Sequence, residues 1–504
     1  MNGTARSFSP TAGVLVLSIA FGVFGALLIE IFGVKASVIF PALLIAPFAF
    51  PVLGKQSLTR FRNLWKQLSW WHGLWFLVFL SGLVFRFRDS QAISDSAVDF
   101  WALYRIGLMG ITGSALAMRF FLRRSPLQIS LFRGLIGRLL IYALVCVCST
   151  VWSAYPAWTF YKSLEYLVVV VLLAAVLATL ASAASYKSVL DLMWTIDGLL
   201  LISIWIGALI WPADALQSSA GLISVQLQGV VPQVADNGVG HVSAILSVVA
   251  LSRLLRRPQT KGSRFFYVVL FAITVGTMIL AQTRSAILGF LLGVSLLLYF
   301  SRQIGLIACL ATIVLLLYLA TGAGGLFEEY MRRGQNAGEV ASLSGRIDWW
   351  DFGWNEFVKH PSTGMGAFTA RFTVLAKFGD QGTSTVHNTY LEALLGVGII
   401  GLIPLFTVLL GTWTSLIREL RHSSRSPARR QLALEATAVL GVITLRSFFS
   451  VGLIVHYDLD FMAILGFAEL LRRLPERVTV PSNSHLIRHD DVRFIAETHN
   501  GPIS

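Results

Sequence analysis

The sequence predicts an all-α fold: a polytopic integral membrane helical bundle of about 12 to 14 transmembrane helices with one large extracytoplasmic loop. Of its 504 residues 55% are hydrophobic and only 13% charged, with a mean hydropathy of +0.71, whereas a soluble domain has roughly 25% charged residues. The apolar residues occur in runs of about 18 to 25, which is the helical length that crosses a hydrocarbon core of roughly 30 Å. This composition excludes a soluble globular protein and a disordered chain.

The runs divide the chain into four predicted regions. Residues 1–320 carry transmembrane helices 1 to 11, residues 321–387 form a large periplasmic loop with an amphipathic helix, residues 388–471 carry the C-terminal transmembrane helices, and residues 472–504 form a cytoplasmic tail. The first run is too long for the core of a signal peptide, so we interpret it as the first span. The spans are expected near residues 12–33, 36–53, 71–85, 99–118, 134–152, 157–181, 191–211, 237–252, 265–282, 285–300, 304–320, 388–415, 431–453 and 456–471.

The distribution of basic residues predicts the orientation of the chain. With a cytoplasmic N-terminus, the inside segments hold 26 Lys and Arg residues and the outside segments 11, six of these in the loop 321–387. This bias follows the positive-inside rule and puts both termini in the cytoplasm. The net charge of +14 is spread over many short loops facing an anionic leaflet, so nucleic-acid binding is not expected. All three cysteines fall inside apolar runs, so neither a disulfide framework nor a metal site is predicted.

The loop 321–387 is too long to be an unstructured connection in a compact protein. Apolar residues recur at helical spacing between Gly345 and Lys359, which predicts an amphipathic helix with Ser344 as its N-cap and an end at His360 and Pro361. Its tryptophans could equally be anchors at the membrane interface.

Two polar residues at the outer surface are candidates for chemistry. His387, at the start of the next span, is placed to accept a proton near neutral pH, or is an interfacial histidine bonded to backbone. Arg284, between two spans, could grip a phosphate or pyrophosphate group bidentately, or is a snorkelling anchor.

Further charges lie within or at the edges of spans and imply a polar cavity inside the bundle, although interhelical pairing is the simpler explanation for any one of them. Arg105 and Lys162 lie nearer the outer ends of their spans and could join Arg284 in a cationic funnel for a lipid-linked anion. Gly289 and Gly293 form a GxxxG pattern, which favours close helix packing. The set of charges is Glu30, Arg105, Arg138, Lys162, Glu165, Asp197, Glu392 and Arg446.

Four short motifs resemble those of the O-antigen ligase and polymerase superfamily of bacterial envelope glycan enzymes. They are His387-Asn388 followed after nine residues by Gly398-Ile-Ile-Gly401, then Arg284-Ser-Ala-Ile-Leu288, Ser344-Gly345-Arg346, and the turn from Pro361 to Gly366. Together they cover about residues 237–415 and flank the large loop.

The resemblance implies a glycosyltransferase of the bacterial inner membrane that uses no metal and no cofactor. The donor would be a glycan on undecaprenyl diphosphate, and the acceptor hydroxyl would belong to lipid A core or to a growing glycan, with membrane lipid around both. By position in the motifs, His387 would be the base or would orient the acceptor, Arg284 and Arg346 would stabilise the diphosphate, and Asn388 would hold His387 or a sugar hydroxyl. Substrate-binding roles for Arg105, Lys162 and Arg446 match no motif.

Other functions remain open at this stage. Ligation and polymerisation share a donor and differ in the acceptor, so an exopolysaccharide polymerase is the nearest alternative, and protein O-glycosylation is a third. A transporter of lipid-linked sugar would need no single external histidine and predicts paired half-bundles, whereas this sequence has one asymmetric loop. A non-catalytic scaffold would not need Arg284, Arg346 and His387 together.

Overall fold

The protein, in a computed structural model, is almost entirely helical. The structure describes residues 69–84, 100–122, 131–180, 185–219, 221–256, 261–303, 305–306, 323–379, 385–422, 426–453 and 459–473. The helices in these ranges are α1 (Trp70–Val84), α2 (Phe100–Leu122), α3 (Gly134–Cys148), α4 (Pro156–Leu177), α5 (Lys187–Ile210), α6 (Pro212–Ala215), α7 (Asp236–Leu254), α8 (Lys261–Leu280), α9 (Arg284–Phe300), α10 (Ala323–Arg332), α11 (Ala337–Ala341), α12 (Arg346–Lys359), α13 (Ala370–Phe378), α14 (Thr389–Arg421), α15 (Pro427–Arg446) and α16 (Leu459–Arg473).

These helices confirm the predicted all-α polytopic membrane fold. Within the described ranges, six helices are long and apolar enough to cross a membrane: α4, α5, α7, α8, α14, and α3 with the turn of 3-10 helix that follows it. The predicted spans near 285–300, 431–453 and 456–471 correspond to α9, α15 and α16, which are shorter or more polar. The predicted spans near 12–33, 36–53 and 304–320 and the tail from residue 474 lie outside the described residues.

Small residues allow close packing in the bundle. A Cβ at Gly289 would lie 3.1 Å from the carbonyl oxygen of Val442, and one at Gly293 would lie 3.0 Å from that of Ala438. Both carbonyls belong to α15, so the predicted GxxxG pattern is the surface along which α9 packs on that helix. Because α16 is buried along almost all of its length, the C-terminal helices belong to the core of the described bundle.

The loop residues fold into short helices at one end of the bundle, where α4, α7, α9 and α14 begin. A two-stranded antiparallel hairpin, β1 (Leu216–Ser218) with β2 (Val225–Leu227), lies at the same end. The Gln282 amide donates to the carbonyls of Ile223 and Val225, at 2.9 and 2.8 Å, and so joins this hairpin to the loop between α8 and α9. The predicted amphipathic helix is α12.

Helix α14 is interrupted at Gly398, whose φ of 61° and ψ of −162° are not helical. The break changes the hydrogen bonding on both of its sides. The carbonyls of Leu395 and Gly396 accept from the Met365 and Gly366 amides at 2.8 and 2.9 Å. The amides of Ile399 and Ile400 donate to the carbonyls of Pro361 and Ser362 at 3.0 and 3.2 Å. The turn 361–366 is therefore bonded into the gap in α14, which satisfies backbone groups that a membrane helix cannot leave unpaired.

Candidate active site

Arg284 is the first residue of α9, and its side chain is bonded to residues of the large loop. Its Nη2 donates to the Gln335 side-chain oxygen at 2.6 Å and to the Arg332 carbonyl at 3.1 Å. Gln335 in turn donates to the Ser344 hydroxyl at 3.0 Å. The Arg284 Nε is buried and has no hydrogen-bond partner among the described residues, so the guanidinium keeps a donor for a bound group.

Arg346 is the first residue of α12 and follows a tight reversal of the backbone. Leu343, Ser344 and Gly345 all have positive φ, at 53°, 63° and 80°. The prediction that Ser344 is the N-cap is wrong: Gly345 occupies that position and no side chain caps the helix. The Ser344 hydroxyl bonds to Gln335 instead. The Ser-Gly-Arg motif thus describes a left-handed turn, favourable for glycine, that places the Arg346 guanidinium.

A third guanidinium, that of Arg333, completes this group of cations. Burial together with the charges of Arg284 and Arg333 lowers the pKa of Arg346, while Asp236 opposes the shift. Arg333 has a φ of 56° in the turn after α10, and its Nη2 lies 3.7 Å from a carboxylate oxygen of Asp236. We call Arg284, Arg333 and Arg346 the arginine cluster. Among these contacts of the described residues, Asp236 is the one carboxylate near the arginine cluster. The positive charge of the cluster is therefore only partly compensated.

His387 faces the arginine cluster from the start of α14. Its imidazole lies against the Trp349 indole, with ring centroids 5.2 Å apart, and Trp350 Nε1 donates to the Val386 carbonyl at 2.9 Å. Two tryptophans of α12 thus fix the segment that carries the histidine. Burial and the nearby charge of Arg346 lower the pKa of His387 to about 4. The imidazole is therefore neutral at physiological pH and can accept a proton.

Asn388 has a structural task beside His387. Its side-chain oxygen accepts from the Tyr390 and Leu391 amides, at 3.0 and 3.1 Å, and so caps α14. Asparagine is a favoured residue at this position because its short side chain reaches the free amides of the first turn. The predicted contact of Asn388 with His387 or with a sugar hydroxyl stays a prediction.

Arg446 lies at the same end of the bundle but is bonded into it. Its Nη2 donates to the Asn237 carbonyl at 2.8 Å, and the residue is 6% exposed. The next residue, Ser447, accepts the Thr389 amide at 2.9 Å. Arg446 therefore ties the end of α15 to the first turn of α7, while Ser447 ties it to the first turn of α14. The predicted role of Arg446 in substrate binding stays a prediction.

Arg105 and Lys162, which were predicted to join Arg284 in a cationic funnel, pair with a carboxylate in the described part of the chain. Both bind one buried carboxylate, Glu165: Arg105 through Nε and Lys162 through Nζ, the latter at 2.8 Å. An ion triad of this kind offsets much of the cost of burying charge in the membrane. The interhelical pairing considered for such residues is thus what the structure shows for Arg105, which joins α2 to α4.

Three residues at this end of the bundle were not identified as candidates from the sequence. Arg333 stands next to Arg332 in a loop rich in charge, and nothing local separates the two. Trp349 differs from Trp350 and Trp354 only in the face of α12 that it occupies. Arg371 lies in α13, which no motif marked. The close succession of Arg-Arg-Gly at 332–334 is the one signal that could have indicated a turn after a helix.

The fold and this site define a polytopic helical membrane protein with a cationic site, next to a neutral histidine, at one end of its bundle. Residues 267–406, about a quarter of the chain, match the family model Wzy_C, described as O-antigen ligase. The match contains all four motifs and confirms the resemblance found in the sequence. No curated protein matches the chain.

Proposed function

We propose that the protein is a membrane glycosyltransferase of the O-antigen ligase and polymerase type. It transfers a polysaccharide or repeat unit from undecaprenyl diphosphate to an acceptor hydroxyl, of lipid A core or of a growing glycan, on the periplasmic side of the bacterial inner membrane. The observation that carries the proposal is the arginine cluster beside a neutral histidine, within a region similar to the O-antigen ligase family.

The reaction needs a proton acceptor and a place for developing negative charge. The acceptor oxygen attacks the anomeric carbon of the donor sugar, and the bond between that carbon and the diphosphate oxygen breaks. The electron pair leaves with the diphosphate, where guanidinium groups stabilise it. The acceptor proton passes to an imidazole nitrogen of His387. Arginine suits the first task because it stays charged even when partly buried, and its planar fork matches phosphate oxygens.

Binding of the donor would also adjust the base. A diphosphate held by Arg346 adds negative charge close to His387, and this favours the protonated imidazole. The pKa of about 4 in the free protein would therefore rise once the donor is bound. The histidine would become a better proton acceptor when its substrate is present. The cations themselves supply the charge stabilisation, and the proposal assigns no step to a metal.

The test is transfer by the purified chain in lipid vesicles, with a glycan on undecaprenyl diphosphate as donor and both acceptor types supplied separately. We expect His387→Ala to reduce transfer roughly 10²- to 10⁴-fold, the usual contribution of a general base. Arg346→Gln should also reduce transfer, because it removes one of the guanidinium groups that stabilise the diphosphate. Lys359→Gln is its matched control, because both are basic residues of α12 and Lys359 is exposed beside Glu356. The acceptor that is elongated distinguishes ligase from polymerase. Full transfer by His387→Ala would overturn the assignment of His387 as the base, whereas absence of transfer by the wild-type chain would favour a transporter.

A further inference from the structure

A second basic group lies near the start of α4 and is separate from the arginine cluster. It surrounds aromatic rings contributed by two parts of the chain. The Tyr155 and Phe372 ring centroids are 4.2 Å apart, and Trp158 meets Phe372 edge to face at 5.6 Å. Tyr155 is 44% exposed, so one side of this aromatic cluster is open.

The cluster is held firmly in place. Trp158 Nε1 donates to the Phe368 carbonyl at 3.0 Å, and the Thr159 hydroxyl donates to the Ala367 carbonyl at 3.0 Å. Both bonds attach α4 to the segment between the turn 361–366 and α13. A rigid aromatic surface with a few fixed polar groups is typical of a small-molecule site.

Two cations share the Trp158 indole. The Arg371 Cζ and the Lys162 Nζ each lie 5.2 Å from the centroid of that ring. Lys162 also binds Glu165, but no carboxylate lies within salt-bridge distance of Arg371 in the described part of the chain. Its Nε is buried there without a hydrogen bond. Burial lowers the pKa of Arg371, and the charge of Glu392 only partly opposes this. An anionic ligand would supply the missing partner.

Glu392 connects this basic group to His387. One of its carboxylate oxygens accepts the Val386 amide at 3.4 Å, immediately before the histidine, and its charge acts on Arg371. Glu392 therefore links Arg371 electrostatically to the backbone segment that carries the proposed base.

We propose that Arg371 and Lys162, with the aromatic rings of Tyr155, Trp158 and Phe372, bind the acceptor saccharide through a carboxylate or phosphate group on that saccharide. The inference rests on the proposed function, which requires a second substrate. The three arginines beside His387 already provide for the donor diphosphate. Sugar rings present an apolar face that can lie on aromatic side chains, and the guanidinium fork binds either anion bidentately.

Direct binding tests the site without relying on transfer. The full chain in lipid nanodiscs is titrated with trigalacturonate and its neutral methyl ester, and in parallel with glucose 6-phosphate and glucose. We expect at least one of the two anionic probes to bind more tightly than its neutral partner. Arg371→Gln is expected to weaken that binding about tenfold, as when one charge-assisted hydrogen bond is lost. The stronger anionic probe identifies the group recognised.

One control variant guards against general charge effects. Lys377→Gln removes a charge of the same sign from an exposed position of the same helix and should leave probe binding unchanged. Equal binding of charged and neutral probes, no effect of Arg371→Gln, or an equal loss in the Lys377→Gln control would overturn the proposal.

A kinetic arm distinguishes failure of this site from failure of the proposed function. In the vesicle assay, Arg371→Gln should raise the KM for an acceptor that carries the anion about tenfold and leave the donor KM unchanged. A rise in the donor KM alone would assign the group to the donor glycan and overturn the inference. Absence of transfer by the wild-type chain would refute the proposed function, whereas the binding result would still decide whether the site exists.

Discussion

At the scale of single residues, the site depends on charges that are kept close together at some energetic cost. Three guanidinium groups lie within electrostatic range of one another, and like charges this close destabilise the free protein. On the proposed function, a bound diphosphate would relieve the repulsion and gain charge-assisted hydrogen bonds. The repulsion among the three guanidinium groups would thus favour anion binding.

The pH dependence of transfer should report the pairing of His387 with Arg346. Because kcat/KM follows the free protein, its acidic limb is expected near pH 4, where His387 becomes protonated. Arg346→Gln removes a nearby positive charge that disfavours imidazolium, so the limb should move upward toward the ordinary histidine value of about 6.5. The measurement is kcat/KM against pH for both proteins. An identical limb in the two profiles would show that Arg346 does not act on His387.

Arg333, which no motif marks, is expected to contribute to donor binding. Arg333→Gln should raise the KM for the lipid-linked donor roughly tenfold, because one charge-assisted contact to the diphosphate is lost. Arg332→Gln provides a matched comparison, since its side chain is exposed and pairs with Glu328. The measurement is the donor KM of both variants. Equal increases in the two would mean that donor binding depends only on the overall charge of the loop.

At the scale of elements, the break in α14 explains why the motif that begins at His387 has a glycine at position 398. A Cβ at Gly398 would lie 2.3 Å from the Ser362 carbonyl oxygen, and the backbone there adopts a region accessible essentially to glycine alone. The distant turn Pro361 to Gly366 is the other half of this contact. Two motifs that look independent in the sequence are therefore the two sides of one joint.

Gly398→Ala should lower the free energy of unfolding by about 2 kcal/mol or more, because alanine would strain the backbone at this position and its Cβ would clash with Ser362. Thermal unfolding of the purified chain and limited proteolysis at the loop measure the loss. Gly198→Ala serves as the comparison, because a Cβ there meets nothing within 4 Å and alanine is the better helix former. A Gly398→Ala protein as stable as the Gly198→Ala protein would contradict this account of the break.

Elements were predictable where their pattern is local and less so where the chain folds back on itself. Hydrophobic runs placed α7, α9 and the start of α14 within two residues, since burial in lipid imposes one requirement on every span. The positive φ values at residues 343–345 were not predicted, because two of the three residues there are not glycine. The partnership of Gly398 with Ser362 depends on a tertiary contact that no local pattern encodes.

The site was predictable to a similar degree. Motif resemblance indicated Arg284, Arg346 and His387, and the structure brings these three together. It could not indicate Arg333, because a charged residue in a charged loop has no distinguishing neighbour. The contact of Arg105 with Glu165 could not be predicted either. The two residues are sixty positions apart, and sequence spacing does not indicate which helices pack together.

At the scale of the whole molecule, the distribution of basic residues predicts which end of the bundle faces the periplasm. In a cysteine-free background, Lys359→Cys in α12 should react with a membrane-impermeant maleimide added to intact cells, because its side chain is exposed and the distribution of basic residues predicts that this end of the bundle is the outer one. His422→Cys, at the end of α14, should react only after the membrane is opened. Reaction of His422→Cys in intact cells, with Lys359→Cys protected, would mean that the orientation is reversed.

The joint between the turn 361–366 and α14 also has a consequence for biogenesis. The turn is synthesised before the helix that receives it, so the loop reaches its final conformation only after residues 395–400 have entered the membrane. Until then the amides of Met365 and Gly366 lack their carbonyl partners, and α12 has no fixed position from which to orient Arg346. We therefore expect the candidate site to be completed late, after residues 395–400 have left the ribosome and one membrane helix has accepted a segment made earlier.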